Sequence, residues 1–168
     1  LISVSNSPDD QTKHWNSPVA TGINYSVLVT EITGMATNQG DQIAAFDSEN
    51  RLAGVGEIDN VGVCGLAVWG DDSSTDQVDG LSDGETFCLR LWDSSINKVI
   101  NLDIEDILAG SGTIFSADEY SVLGLRRQLE IPNDYYLAQN HPNPFNSVTQ
   151  IRFGLPESGE VFIKVFDI

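Results

Sequence analysis

Basic residues are scarce in this chain. Eight Lys and Arg stand against 25 Asp and Glu, for a formal charge of −17. So few cations form no patch able to neutralise phosphates, which excludes nucleic acid as a partner. Long apolar runs are missing too: none approaches the roughly 18 residues that a membrane-crossing helix needs. Histidine is limited to His14 and His141, far apart and both in loop-like sequence. G-x-S-x-G, H-E-x-x-H, P-loop and helix-opening G-x-G-x-x-G motifs are all absent. No catalytic constellation is legible, and the chain is expected not to be an enzyme. No targeting leader is readable. The start at Leu1 fits a processed N-terminus or a sequence begun part-way through a gene product.

The chain of 168 residues is 40% hydrophobic and 20% charged, with Phe, Tyr and Trp all present. That is a globular composition, long enough for a self-sufficient core. Strand signals dominate. Residues 25–32 (YSVLVTEI) alternate and are β-branched, and 42–46, 51–58, 61–69, 85–92 and 97–102 follow at short spacing. Gly, Asn and Asp clusters punctuate them. Short strands between turn clusters predict an antiparallel β-sandwich of roughly seven to nine strands. In 85–92, Phe87, Leu89 and Leu91 face one way, and Thr86, Cys88, Arg90 and Trp92 the other. One short helix is expected at 104–109 (IEDILA), capped by Asp103 and ended by Gly110. Residues 120–125 close the sandwich, and 128–134 read as a linker.

Within 40–93 stand Gly40-Asp41-Ile43-Phe46-Asp47, Trp69-Gly70-Asp71-Asp72, Asp79-Gly80-Gly84-Glu85 and Leu91-Trp92-Asp93. This set resembles a β-sandwich module of large secreted bacterial proteins, for which no catalytic role follows.

Three features of the module are candidate sites. The loop 71–85 gathers Asp71, Asp72, Asp76, Asp79, Asp83 and Glu85. Calcium takes six to eight oxygens from such carboxylates and from carbonyls, although the EF-hand spacing is not met. The same residues also serve as ordinary turn formers that satisfy local backbone donors. Cys64 and Cys88 sit in strand-like runs on either side of one loop. If those strands form a hairpin, an oxidising compartment favours a disulfide worth roughly 3 kcal/mol in the chain-entropy model. Two buried free thiols are the alternative. Trp69 and Trp92 read as core. Trp15, in a polar run, reads as an exposed ring and a candidate contact for polysaccharide.

The last segment carries the most specific pattern. Tyr136, Leu137, Gln139, Asn140, Pro142, Asn143, Pro144, Phe145, Asn146, Thr149, Ile151, Phe153, Leu155, Pro156 and Glu157 keep a fixed spacing across 135–168. This resembles the first half of the C-terminal sorting domain of type IX secretion cargo. His141 departs from the usual Tyr and Ser147 from the usual Pro. The resemblance implies export across the outer membrane by the type IX machinery, to the extracellular space or the cell surface, and a partial second β-sandwich. Within it, 148–153 (VTQIRF) and 160–166 (EVFIKVF) alternate about a turn at 156–159, which predicts a hairpin. Val148, Ile151, Phe153, Val161, Ile163 and Val165 are its apolar side chains; because a two-stranded hairpin alone is marginal in water, it must pack on the first domain, stay disordered or pair with another subunit, and these six are the candidate subunit contacts. The apolar start 1–4 is a second candidate for an exchanged strand.

The sequence therefore predicts an all-β protein with a sandwich at 1–127, a linker at 128–134 and a sorting-type hairpin at 135–168. The leading function is an extracellular structural module that assembles with copies of itself, or with other cell-surface proteins, through edge strands. A carbohydrate-binding or adhesion module and an accessory domain of a larger secreted enzyme are the alternatives.

Overall fold

The computed structural model describes residues 13–129 and 131–164, with Phe145 described by its backbone alone. The chain divides into two compact units, Leu1–Gln128 and Leu129–Ile168. The expected contact residue Val165 and the apolar start 1–4 lie outside the described residues.

The first unit is built from β1 (Asn24–Thr33), β2 (Gln42–Phe46), β3 (Leu52–Glu57), β4 (Cys64–Trp69), β5 (Cys88–Asp93), β6 (Lys98–Gly110) and β7 (Tyr120–Arg127). They form one mixed sheet in the order β3-β2-β5-β6-β7-β1-β4. All neighbours are antiparallel except β1 and β7, which run parallel. The expected two-sheet antiparallel sandwich is thereby corrected to a single sheet nearly closed into a barrel. The end strands β3 and β4 come together at an Ile58↔Cys64 bridge. Glycine lets them approach further along. A Cβ on Gly54 would lie 2.3 Å from the Ala67 carbonyl oxygen, and one on Gly56 2.4 Å from that of Gly65.

Alternation decides which side chains line the barrel. Tyr25, Val27 and Val29 of β1, Leu89 and Leu91 of β5, and Leu123 and Leu125 of β7 are all buried, with Phe87 and Phe115 closing in from the loops. Burying apolar area at roughly 25 cal/mol per Å² is what holds such a sheet curled. The outward residues of β2 are buried as well, because the segment at 14–15 lies over them, as described below.

No helix occurs among the described residues. The expected helix at 104–109 is part of β6, and the cause of the misreading is visible in the register. Ile104, Asp106, Ile107 and Ala109 pair with Leu125, Gly124, Leu123 and Val122, with a shift after Ile104 and another after Ile107. Each bulge inserts a residue, so apolar positions two apart on β7 face positions three apart on β6. The spacing of Ile104 and Ile107 imitates a helical period. Gly110 ends this strand at φ 79°.

In the second unit, β8 (Tyr136–Leu137) pairs with β11 (Phe153–Gly154), and β9 (His141–Asn146) with β10 (Val148–Gln150). Among the described residues the expected hairpin of 148–153 with 160–166 is not formed: 155–164 contain no strand, and 165–166 lie outside the described residues. The competing partner is closer in sequence: a turn at Ser147 joins β9 to β10, and short loops cost less entropy to close. Ser147 holds φ 68°. A proline, the usual residue of the sorting pattern there, is fixed near −65° and could not adopt it.

Candidate functional site

The acidic residues of the module motifs are turn builders. Asp41, Asp47 and Asp93 are all buried. Asp41 accepts from the Asn38 N–H at 2.8 Å, the Ser94 N–H at 3.0 Å and the Ser94 hydroxyl at 2.7 Å, tying the start of β2 to the β5–β6 turn. Asp93 accepts from the Ser95 N–H and hydroxyl at 3.0 and 2.6 Å. Asp47 accepts from the backbone of Glu49 and Arg51 at 2.9 and 2.8 Å and from Arg51 Nε at 2.6 Å.

Burial pushes the Asp47 carboxyl up, but the Arg51 N–H, its guanidinium and the Glu49 N–H outweigh this and hold it below the ordinary carboxylate range. A depressed folded-state value stabilises above the unfolded value of about 3.9 and is lost as pH falls through the folded value. Asp47→Asn is therefore expected to destabilise the protein at neutral pH. The gap to wild type should close below about pH 4, as read from urea midpoints across the acid limb. A gap unchanged down to pH about 2 would contradict this role for the Asp47 charge.

The loop expected to hold calcium spends its carboxylates in the same way. Asp71 accepts from the Asp79 N–H, Asp79 from the Asp72 N–H and Asp72 from the Ser74 N–H, each at 2.9 Å. Glu85 accepts from the Ser82 N–H at 3.1 Å and Asp83 from the Ala117 N–H at 3.4 Å. Asp76 is exposed. Asp71, Asp72 and Asp79 are thus linked to one another, but among the described residues no three His, Cys, Asp or Glu side chains are grouped to hold a metal ion.

The expected Cys64–Cys88 pair is corrected as well. Both cysteines are free, Cys64 buried and Cys88 exposed. β4 pairs with β1, whereas β5 lies between β2 and β6, so the supposed hairpin does not exist. Cys64 lines the barrel, where burial pushes its thiol up to about 12. Cys88 points outward beside Arg90, whose Nη2 lies 4.0 Å from its sulfur.

Trp15 does belong to a surface cluster, but it is half-buried instead of free-standing. Gln42 of β2 is its anchor. The buried amide oxygen accepts from the His14 and Trp15 N–H groups at 2.8 and 2.9 Å, and its nitrogen donates to the Trp15 carbonyl at 3.0 Å. The rings then form a row. His14 stacks on Trp92 with centroids 3.9 Å apart, and Trp15 meets His14 edge-on at 4.9 Å and Phe46 at 5.7 Å. The Arg90 guanidinium lies 4.4 Å from the Phe46 ring centre. Trp92 is thus outward-facing and not core, as the alternation of 85–92 requires. Gln42, His14, Phe46 and Arg90 were not legible as partners of Trp15. The one available signal was a glutamine opening an otherwise apolar strand.

In the second unit, the sorting-type residues lie on the surface: Gln139, Pro142, Asn143, Pro144 and Asn146 are exposed and Asn140 half-buried. The Asn140 amide donates to Thr149 Oγ1 at 3.1 Å, and Thr149 donates to the Pro142 carbonyl at 3.0 Å, which locks β9 against β10. The expected contact residues Val148, Ile151, Phe153, Val161 and Ile163 are all exposed, together with Leu137 and Phe162. Several of them line an open concavity of about 560 Å³ with Tyr135 and Tyr136. Compared with known proteins, the chain matches no family model, no curated protein and no solved structure.

Proposed function

We propose that this chain is a non-enzymatic extracellular module, exported by a type IX-like route, that assembles with copies of itself through the strands of its second unit. The observation that carries the reading is the exposed apolar surface of that unit. Each of its two ladders has only two paired positions, and Leu137, Val148, Phe153 and Ile163 are exposed. Two-stranded pieces of this kind are marginal alone. Their remaining backbone donors and acceptors are satisfied when another chain adds a strand. The first unit supports a structural role, since its motif carboxylates serve its turns.

Export is tested by expressing the intact chain behind an inner-membrane leader in a bacterium with a type IX system, beside a chain ending at Gln128. The intact chain is expected outside the cell and the shortened one in the periplasm. Equal export of both would overturn the sorting role of 129–168.

A further inference from the structure

We propose that the outer face of β5, where Trp92, His14, Trp15 and Arg90 stand together, binds a neutral polysaccharide. All of its residues belong to the first unit.

Three chain segments meet there. Residues 14–15 are strapped onto β2 by the buried Gln42, β2 supplies Phe46, and β5 supplies Arg90 and Trp92. The rings are held in place by backbone hydrogen bonds, so little freedom remains to be lost on binding. Arg90 is the second, separate observation. Among the described residues it has no carboxylate partner: its guanidinium lies over Phe46 and its Nη2 beside Cys88 Sγ, while its Nε is buried with no acceptor. On the neighbouring strand the exposed Asn101 pairs with Arg90, adding an amide to the same face.

Ring surfaces beside planar nitrogen donors suit a ligand with flat C–H faces and peripheral oxygens, which describes a sugar. The charge of −17 disfavours polyanions. A peptide adding as a strand is disfavoured too, because β5 is paired on both sides and offers no free edge.

The test is calorimetric titration of the intact protein with soluble mixed-linkage β-glucan, xylan and galactomannan, with polygalacturonate as the anionic counterpart. Binding of at least one neutral polymer is expected, weakened about tenfold or more by Arg90→Gln and by Trp92→Ala. Bound polymer should also slow alkylation of the exposed Cys88, which lies two residues from Arg90 on the same face. Cys64, buried, serves as the unreactive reference. Arg90→Gln leaves the rings in place, so its result stands even where Trp92→Ala fails to fold. Three outcomes would overturn the proposal: no binding of any neutral polymer, binding unchanged in Arg90→Gln, or binding of polygalacturonate alone. The last would make Arg90 an anion site.

Discussion

Gly54→Val is expected to prise the barrel open and to cost about 3 kcal/mol or more. The added Cβ would stand 2.3 Å from the Ala67 carbonyl oxygen and 3.1 Å from Val68 Cα. Both are backbone atoms of β4 and cannot swing aside as a side chain would. Either β3 and β4 separate or the two strands distort. A domain's whole stability is about 5–15 kcal/mol, so a large fraction is at stake. Gly65→Ala is the matched control, on the other strand of the same seam. Nothing lies within 4 Å of its Cβ. Alanine there should be neutral, or stabilising by about 0.5–1 kcal/mol through the lower freedom of the unfolded chain. Urea midpoints of the two variants decide the matter. Equal, small effects would mean that β3 and β4 do not meet as described.

Tyr25→Ala is expected to cost about 3–5 kcal/mol. The ring is fully buried and packs between Phe87 and Phe115, with centroids 5.9 and 6.2 Å away. Its hydroxyl reaches the Ser111 hydroxyl and the Gly112 carbonyl, each at 3.2 Å, and also the Ser121 hydroxyl. One side chain thereby joins β1, the turn after β6 and the start of β7, which includes the parallel β1–β7 seam. Tyr25→Phe keeps the packing and removes only the hydroxyl, so about 1–2 kcal/mol is expected. Thermal or urea unfolding should rank alanine well below phenylalanine, and phenylalanine below wild type. A phenylalanine variant as unstable as the alanine one would place the stabilisation in the hydrogen bonds and not in the core.

Much of the first unit was legible in the sequence. The strand at 42–46 has both expected ends, and the inward set Phe87, Leu89 and Leu91 is the buried set. Alternation reports which face is buried, but not how far a sheet curves. Sandwich and barrel therefore read alike along the chain. The parallel pairing of β1 with β7 joins segments about as distant as the unit allows, and no local pattern encodes it. Bulges hid β6 because they shift the phase of alternation in the middle of a strand. The cysteine pair failed for a related reason, since flanking one loop does not make two strands neighbours. The motif residues Asp41, Asp47 and Asp93 were recognisable as a recurring set, but their work as turn acceptors needed three dimensions. Trp15 was legible as an aromatic out of place. The row it joins was not, because Gln42, Phe46, Arg90 and Trp92 come to it from two other strands.

In the proposed function, the exposed strands of the second unit pair with another copy of the chain. Sedimentation velocity of the intact protein over a wide concentration range tests it most directly, with electron microscopy of the same samples. Species larger than one chain that grow with concentration are expected, as is their loss when Val148 and Ile163 are both replaced by lysine. A single monomeric species at every concentration would contradict it.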